Sequence, residues 1–353
     1  MTTPHATTLP RWRRPRWPVP LLLVGVLLLA LAVAVQLGAV PVAARDWWAP
    51  FGDDAMSGGA HVLWQLRWPR ALLAVLIGAS LGLAGALTQG LFRNPMADPG
   101  LLGVTSGAAC AAALVLTVFA AAHASIPPAW RIAVLPASAF VGALAVCFLL
   151  DRIARWLTPG SVAGLLLTGL ALNAVTMAVV GLCTYLATDE QLRSLSFWTL
   201  GSLASAQWGV VALVAVVLAA SAWQARQLGH ALNALALGES AAAHVGVDVG
   251  AVRRRLVIVV ALLSAVAVAW CGLIAFIGLM APHLVRGVAG ADQRRLLPLA
   301  MIAGALLLLV ADTVARTVVI PAEIPVGIFT SLIGGPGFLM LLRGVARQQG
   351  GHA

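Results

Sequence analysis

Apolar runs of about twenty residues recur along the chain, separated by short stretches that hold most of the charges. A helix needs a run of about that length to cross bilayer hydrocarbon. In lipid every backbone N–H and C=O must be paired within the segment, so these runs mean helices. The pattern predicts ten spans, near residues 19–40, 69–91, 101–121, 132–150, 161–186, 207–223, 253–270, 272–288, 296–315 and 324–343. The seventh and eighth are hardest to separate. "LVIVVALLSAVAVAWCGLIAFIGLMAPHLV" is long for one helix and short for two, and only Gly272 offers a break.

The cations decide between the two counts. With ten spans and a cytoplasmic N-terminus, sixteen of the 22 arginines fall on inner segments and six, Arg45, Arg67, Arg70, Arg131, Arg193 and Arg316, on outer ones. Fusing spans seven and eight turns this into twelve against ten. Positive charge accumulates on the cytoplasmic side, which favours ten spans with both termini inside.

Composition narrows the class. The chain is 61% hydrophobic and 10% charged, against about 25% charged in soluble domains. One integral membrane domain is expected over 19–345, with cytoplasmic tails at 1–18 and 346–353. The N-terminal "RWRRPRWPVPLLLVGVLLLALAVAVQLGAV" has the basic start of a signal peptide. Its apolar part exceeds the 7 to 15 residues or so of a signal core, so it is expected to be retained as the first span. Every one of the 22 basic residues is arginine. Without lysine the chain has no P-loop, whose lysine grips the phosphates, so any ATP is hydrolysed by another subunit. The formal charge of +10 sits beside spans, where it sets orientation, and no nucleic-acid partner is expected. Cys110, Cys147, Cys183 and Cys271 lie in apolar runs without Cys-x-x-Cys spacing and read as packing residues.

The polar interruptions carry the remaining information. "FRNPMADPGLLG", residues 92–103, places two prolines, Arg93, Asn94 and Asp98 between the second and third spans, and reads as a cytoplasmic elbow with Arg93 and Asp98 at the water boundary. On the outer side, "RWPR" (67–70) precedes the second span, Arg316 ends the ninth in "ADTVAR", and Glu323 precedes the tenth. Such arginines either anchor in headgroups or dock an acidic soluble partner. His283, lacking a second ligand at suitable spacing, reads as an inner-boundary residue, and no metal or catalytic site is expected. Residues 224–252 form the longest inner connection, rich in Ala and Gly, a low-profile surface that could seat in another protein's groove. No acidic residue falls clearly mid-span, which counts against an ion-coupled secondary transporter. No paired groups of an intramembrane enzyme are visible.

Seven ordered stretches together resemble the FecCD (BtuC-like) permease family, membrane subunits of binding-protein-dependent ABC importers for iron–siderophores, haem and cobalamin. They are "RWPR", "GASLGLAGALTQGLFRNPMADPGLLGVTSGA" (78–108), "FWTLGSL" (197–203), "LNALALGESAAAHVGV" (232–247), "GLIAFIGLMAPHLVRGVAGADQRRLLP" (272–298), "ADTVAR" and "EIPVGIFTSLIGGPGFLMLL" (323–342). Met96 stands where the family usually has leucine, and Gln293 replaces a common histidine. The resemblance implies an all-α, ten-helix subunit in the bacterial inner membrane. It further implies a homodimer with the cargo path on its axis, two ABC ATPase subunits beneath, and an extracytoplasmic binding protein. The cargo would be a metal chelate, iron–siderophore first, with haem or cobalamin as alternatives. The chain itself would bind no cofactor, ATP being used by the partner. By the same resemblance Arg67, Arg70 and Arg316 would meet glutamates of the binding protein. Gly238, Glu239, Ala242 and Gly246 would belong to the coupling segment in the ATPase cleft. Asn94, Pro95 and Met96, facing Ser161, would form the cytoplasmic gate.

Overall fold

The computed structural model describes residues 18–49, 57–320 and 322–350, and the described chain is helical with no strand. The arginines at 11, 13, 14 and 16 that help set the expected orientation, and the N-terminal tail, lie outside these residues. The helices are α1 (Pro18–Gln36), α2 (Gly58–His61), α3 (Trp68–Phe92), α4 (Val104–Leu116), α5 (Ala120–Ser125), α6 (Pro128–Leu157) and α7 (Val162–Leu186). After them come α8 (Asp189–Thr199), α9 (Trp208–Ala236), α10 (Glu239–His244), α11 (Val249–Cys271), α12 (Ile277–Ala289), α13 (Gln293–Ala315) and α14 (Val326–Gly350). Seven are long and apolar enough to cross a membrane, α2 and α3 counting as one continuous helix, and three shorter apolar helices stand at α4, α12 and Val326–Met340 of α14.

The centre of the bundle is α3, whose residues from Ile77 to Phe92 are all buried. Small residues let its neighbours approach to backbone contact, since close packing rather than hydrophobicity joins helices in lipid. A Cβ on Gly78 would run into the backbone of Gly304 in α13, and one on Gly85 into the backbone of Gly278 in α12. Polar groups inside α3 bond back to their own helix: Ser80 to Leu76 O at 2.8 Å and Thr88 to Ala84 O at 2.8 Å. On the periphery, α1, α6 and α7 expose large apolar side chains, the surface that lipid or another subunit would cover.

Two helices are too short to span alone. α4 and α12 have 13 residues each, about 20 Å at 1.5 Å per residue, against roughly 30 Å of hydrocarbon. Each is completed by irregular chain, Arg93–Gly103 before α4 and Gly272–Phe276 before α12. Non-helical backbone at membrane depth is tolerated where protein buries it or where it lines a cavity, and both conditions hold here. The break falls where Gly272 ends α11 with φ +67°, and Phe276 (φ +67°) turns the chain into α12.

The elbow has a readable construction. Arg93 closes α3 in the left-handed conformation at φ +48°, while Asn94 N–H reaches back to Gln89 O at 3.1 Å. Asn94 Oδ1 accepts from Met96 N–H at 2.9 Å, a turn that Asn favours because its side chain copies a backbone carbonyl. Asp98 then caps a 3-10 turn at Pro99–Leu102, accepting from Gly100 N–H at 2.7 Å. Asp98 does not stay at the water boundary as expected. It shares a cavity with Asn173, which lies eleven residues into α7, about 16 Å along that helix. The elbow climbs from exposed Arg93 into the bundle. A second expectation also shifts: the first half of 224–252 is a continuation of α9, which runs unbroken to Ala236.

Candidate functional site: an outer ion cluster, an internal cavity and an inner helix

Arg67, Arg70, Asp312, Arg316 and Glu323 gather where α3 begins and α13 ends, the end of the bundle that the arginine distribution leads one to expect on the outer side. Arg70 holds the cluster together. Its Nε donates to Asp312 Oδ1 and Oδ2 at 3.2 and 3.1 Å, and its Nη2 to Oδ1 at 3.0 Å. The remaining Nη1 donates to Glu323 Oε2 at 2.7 Å. Asp312 is 1% exposed, a buried carboxylate that needs its cations. Arg316, one turn further along α13, stands 3.7 Å from Asp312 through Nε.

The other two arginines hold α1. The last carbonyls of a helix lack intrahelical partners and carry the negative end of its dipole. Arg67 Nη1 donates to Val35 O and Gln36 O at 3.3 and 2.8 Å, and its Nη2 to Val40 O. Arg316 donates to Leu37 O at 2.9 Å and to Ala34 O. Arg67 is 6% exposed, so it is not the free surface arginine that the sequence suggested.

Arg67 reaches this place from a π turn at Val62–Arg67 that joins α2 to α3 directly before Pro69, where a missing N–H removes one rung of the helical ladder. Stacked Trp64 and Trp68, with ring centroids 6.0 Å apart, brace that turn. Asp46 ties the preceding loop by accepting from Ala43 N–H at 2.8 Å and Ser57 O–H at 2.7 Å. A cavity of about 310 Å³ opens onto Arg67, Arg70, Arg316 and Glu323.

The two irregular segments face each other across a larger cavity of about 570 Å³, lined by Asp98, Ser106 and Asn173 on one side and by Leu273–Phe276 on the other. Ser106 Oγ lies 2.5 Å from Asn173 Oδ1. Sequence reading missed this set. The elbow's two prolines were the available signal, since an interrupted chain between apolar runs is where backbone lines a cavity.

At the opposite end, expected on the inner side, Gly238 (φ +116°) precedes α10 and Gly246 (φ +84°) follows it, a backbone conformation that favours glycine. Glu239 Oε1 accepts from Arg253 Nη2 at 2.7 Å, tying α10 to α11. Ala242 is fully buried, packing the short helix down rather than offering a contact surface. The exposed apolar groups are Leu237 (81%) and Val245 (71%), which the sequence did not single out. Close by, Asp292 accepts from Asn233 Nδ2 at 2.7 Å and from Arg294 N–H at 3.1 Å, joining α9 to the start of α13. The Asn233 bond above all lowers its carboxyl pKa from the usual aspartate value.

Of the expected gate residues, Asn94 is exposed, and Pro95 and Met96 are half-buried. Ser161 caps α7, accepting from Gly164 N–H at 3.0 Å. It lines a cavity of about 220 Å³ with Asp151, Asp248, Arg253 and Arg254. The elbow residues do not line that cavity, so within one chain Ser161 and the elbow are not brought together there.

A bundle of long apolar helices, broken at two facing segments around a cavity, with an ion cluster at one end and a short exposed helix at the other, has the build of a multi-pass membrane protein. A family model described as the FecCD transport family matches residues 25–344, and the chain belongs to that family. It is 43% identical over 338 residues to the hemin transport system permease protein HmuU of Yersinia pestis, covering 96% of this chain and 98% of that one. It is 40% identical over 320 residues to the vitamin B12 import system permease protein BtuC of Yersinia enterocolitica, covering 91% of each. A solved inward-facing structure described as a metal-chelate type ABC transporter superposes with a TM-score of 0.80 at 31% identity, covering 92% of this chain and 99% of that one.

Proposed function

We propose that this chain is the membrane subunit of a binding-protein-dependent ABC importer that passes a metal chelate across the inner membrane by alternating access. The observation that carries the reading is the arrangement of three sites along one bundle: an arginine–carboxylate cluster outside, a cavity of about 570 Å³ between two broken segments, and α10 with exposed Leu237 and Val245 inside. The family supports it. Two copies would place their cavities on a common axis, with both termini in the cytoplasm.

In this reading the acidic surface of a loaded binding protein docks at Arg67, Arg70 and Arg316. Gly238, Glu239, Ala242 and Gly246 shape the segment that seats in the ATPase, and Leu237 and Val245 are its contacts. Glu239–Arg253 carries the motion into α11, whose far end leads through Gly272 into the Leu273–Phe276 wall of the cavity. The elbow at Asn94, Pro95 and Met96, with Ser161, closes the inner side. Such gating needs helices with two packed arrangements and no nucleophile or shifted acid. The chain acts as a non-catalytic subunit without a cofactor of its own, ATP being hydrolysed by the partner.

Iron–siderophore is the cargo expected from the family, and haem is the reading that the 43% relative favours. Reconstitution with the cognate ATPase and binding protein decides between them. Uptake of ⁵⁵Fe-siderophore, hemin and cyanocobalamin is measured separately, and ATP-dependent accumulation of none of the three would reject the metal-chelate class.

A further inference from the structure

We infer that Glu323 holds, on Arg70, the place that a carboxylate of the binding protein takes on docking, so that docking exchanges one carboxylate for another. The inference rests on the docking reading above and names the internal group that competes with the partner.

The contacts of the three arginines are unequal. Arg67 donates to the carbonyls of Val35, Gln36 and Val40, and Arg316 to those of Ala34 and Leu37. Displacing those contacts would strand the end of α1. Arg70 has two carboxylate partners of opposite character. Asp312 is buried, gripped by both Nε and Nη2, and shared with Arg316. Glu323 touches Arg70 through one oxygen at 2.7 Å, its side chain is 49% exposed, and among the described residues no other group donates to its carboxylate.

When Glu323 leaves it regains water, and Arg70 loses nothing if an equal anion replaces it. The Arg70–Glu323 contact is therefore the one in the cluster that an incoming carboxylate displaces at least cost. Both residues line the outer cavity, so the arriving group has access from the solvent side. The charge count agrees: three guanidiniums face two carboxylates in the cluster, leaving a net positive site for an acidic partner.

The test measures the affinity of the apo binding protein for the assembled permease–ATPase complex in nanodiscs. Glu323→Gln is expected to tighten Kd by about two- to fivefold, the range of one exposed ion pair. The gain should vanish in an Arg70→Gln background and be absent from Glu190→Gln, which removes an exposed carboxylate elsewhere. Should Glu323→Gln assemble poorly, Glu323→Ala gives the same reading. Unchanged or weakened binding by Glu323→Gln, while Arg70→Gln still weakens docking, would overturn the exchange and leave the docking reading standing. Equal tightening with Arg70 absent would also overturn it, because the effect would then be general charge. If Arg70→Gln leaves Kd unchanged, docking at Arg70 fails and the exchange fails with it.

Discussion

Arg70 and Asp312 lie 242 positions apart in sequence and meet through Nε and Nη2 at 3.0 to 3.2 Å, locking the outer end of α3 to that of α13. Further down, the same two helices are in backbone contact through Gly78 and Gly304. The ion pair and the glycine contact thus hold one interface at different depths, and the pair also positions Arg70 for the cavity beside it.

Removing the buried member of that pair should be costly. Asp312→Ala leaves Arg70 and Arg316 without their shared anion and is expected to destabilise the protein by about 3 kcal/mol or more. Thermal unfolding in detergent would show it. A midpoint within a degree of the parent would mean that the cluster contributes little to the fold.

Arg67 and Arg316 should show a second role besides docking. Arg67→Ala frees the carbonyls of Val35, Gln36 and Val40, and amide hydrogen exchange should rise over residues 33–40 while α13 stays protected. Unchanged protection at the end of α1 would show that the clamp does not hold that helix.

The inner helix should fail differently from the outer cluster. Leu237→Asp with Val245→Asp should prevent ATPase association, whereas Glu239→Arg should break the Arg253 contact and uncouple hydrolysis from transport. Co-purification reads the first effect, and ATPase rate against uptake reads the second. Normal stimulated hydrolysis and uptake in Glu239→Arg would remove that link from the mechanism.

Asp292 supplies a pH signature. Its carboxyl pKa is lower in the folded protein than the ordinary 3.8, so its contribution to stability is complete above the unfolded value and fades as pH falls through the folded one. The parent should therefore exceed Asp292→Asn in thermal stability at neutral pH, with the gap narrowing only below about pH 4. A gap that stays constant down to pH 3 would show that the ionised form is not what α9 and α13 share.

Much of this was readable from sequence because lipid imposes a strict rule: apolar runs must be helices. The break at Gly272, the start of α7 at Val162 and the end of α13 at Ala315 fall within a residue or two of where the pattern puts them. What the pattern cannot carry is depth. Asp98 sits in a polar stretch and reads as a boundary residue, yet the elbow climbs and delivers it to a cavity beside Asn173. Exposure was equally hidden. Arg67 and Arg316 precede and follow apolar runs as surface anchors do, and only the fold shows the end of α1 arriving to occupy them. Asp312 was legible as part of "ADTVAR", but its position between Arg70 and Arg316 depends on α3 and α13 meeting. The extent of α9 was missed because its Ala-rich second half is helical without being apolar enough to count as span.

Liposomes containing this chain alone, and liposomes containing it with its ATPase and binding protein, test the energy source most directly when chelate accumulation is followed against a concentration gradient. The chain alone should accumulate nothing, and the full assembly should accumulate chelate only while ATP is hydrolysed. Concentrative uptake by the chain alone, with ATP absent and a proton gradient imposed, would contradict the reading of this protein as a permease driven by a separate ATPase.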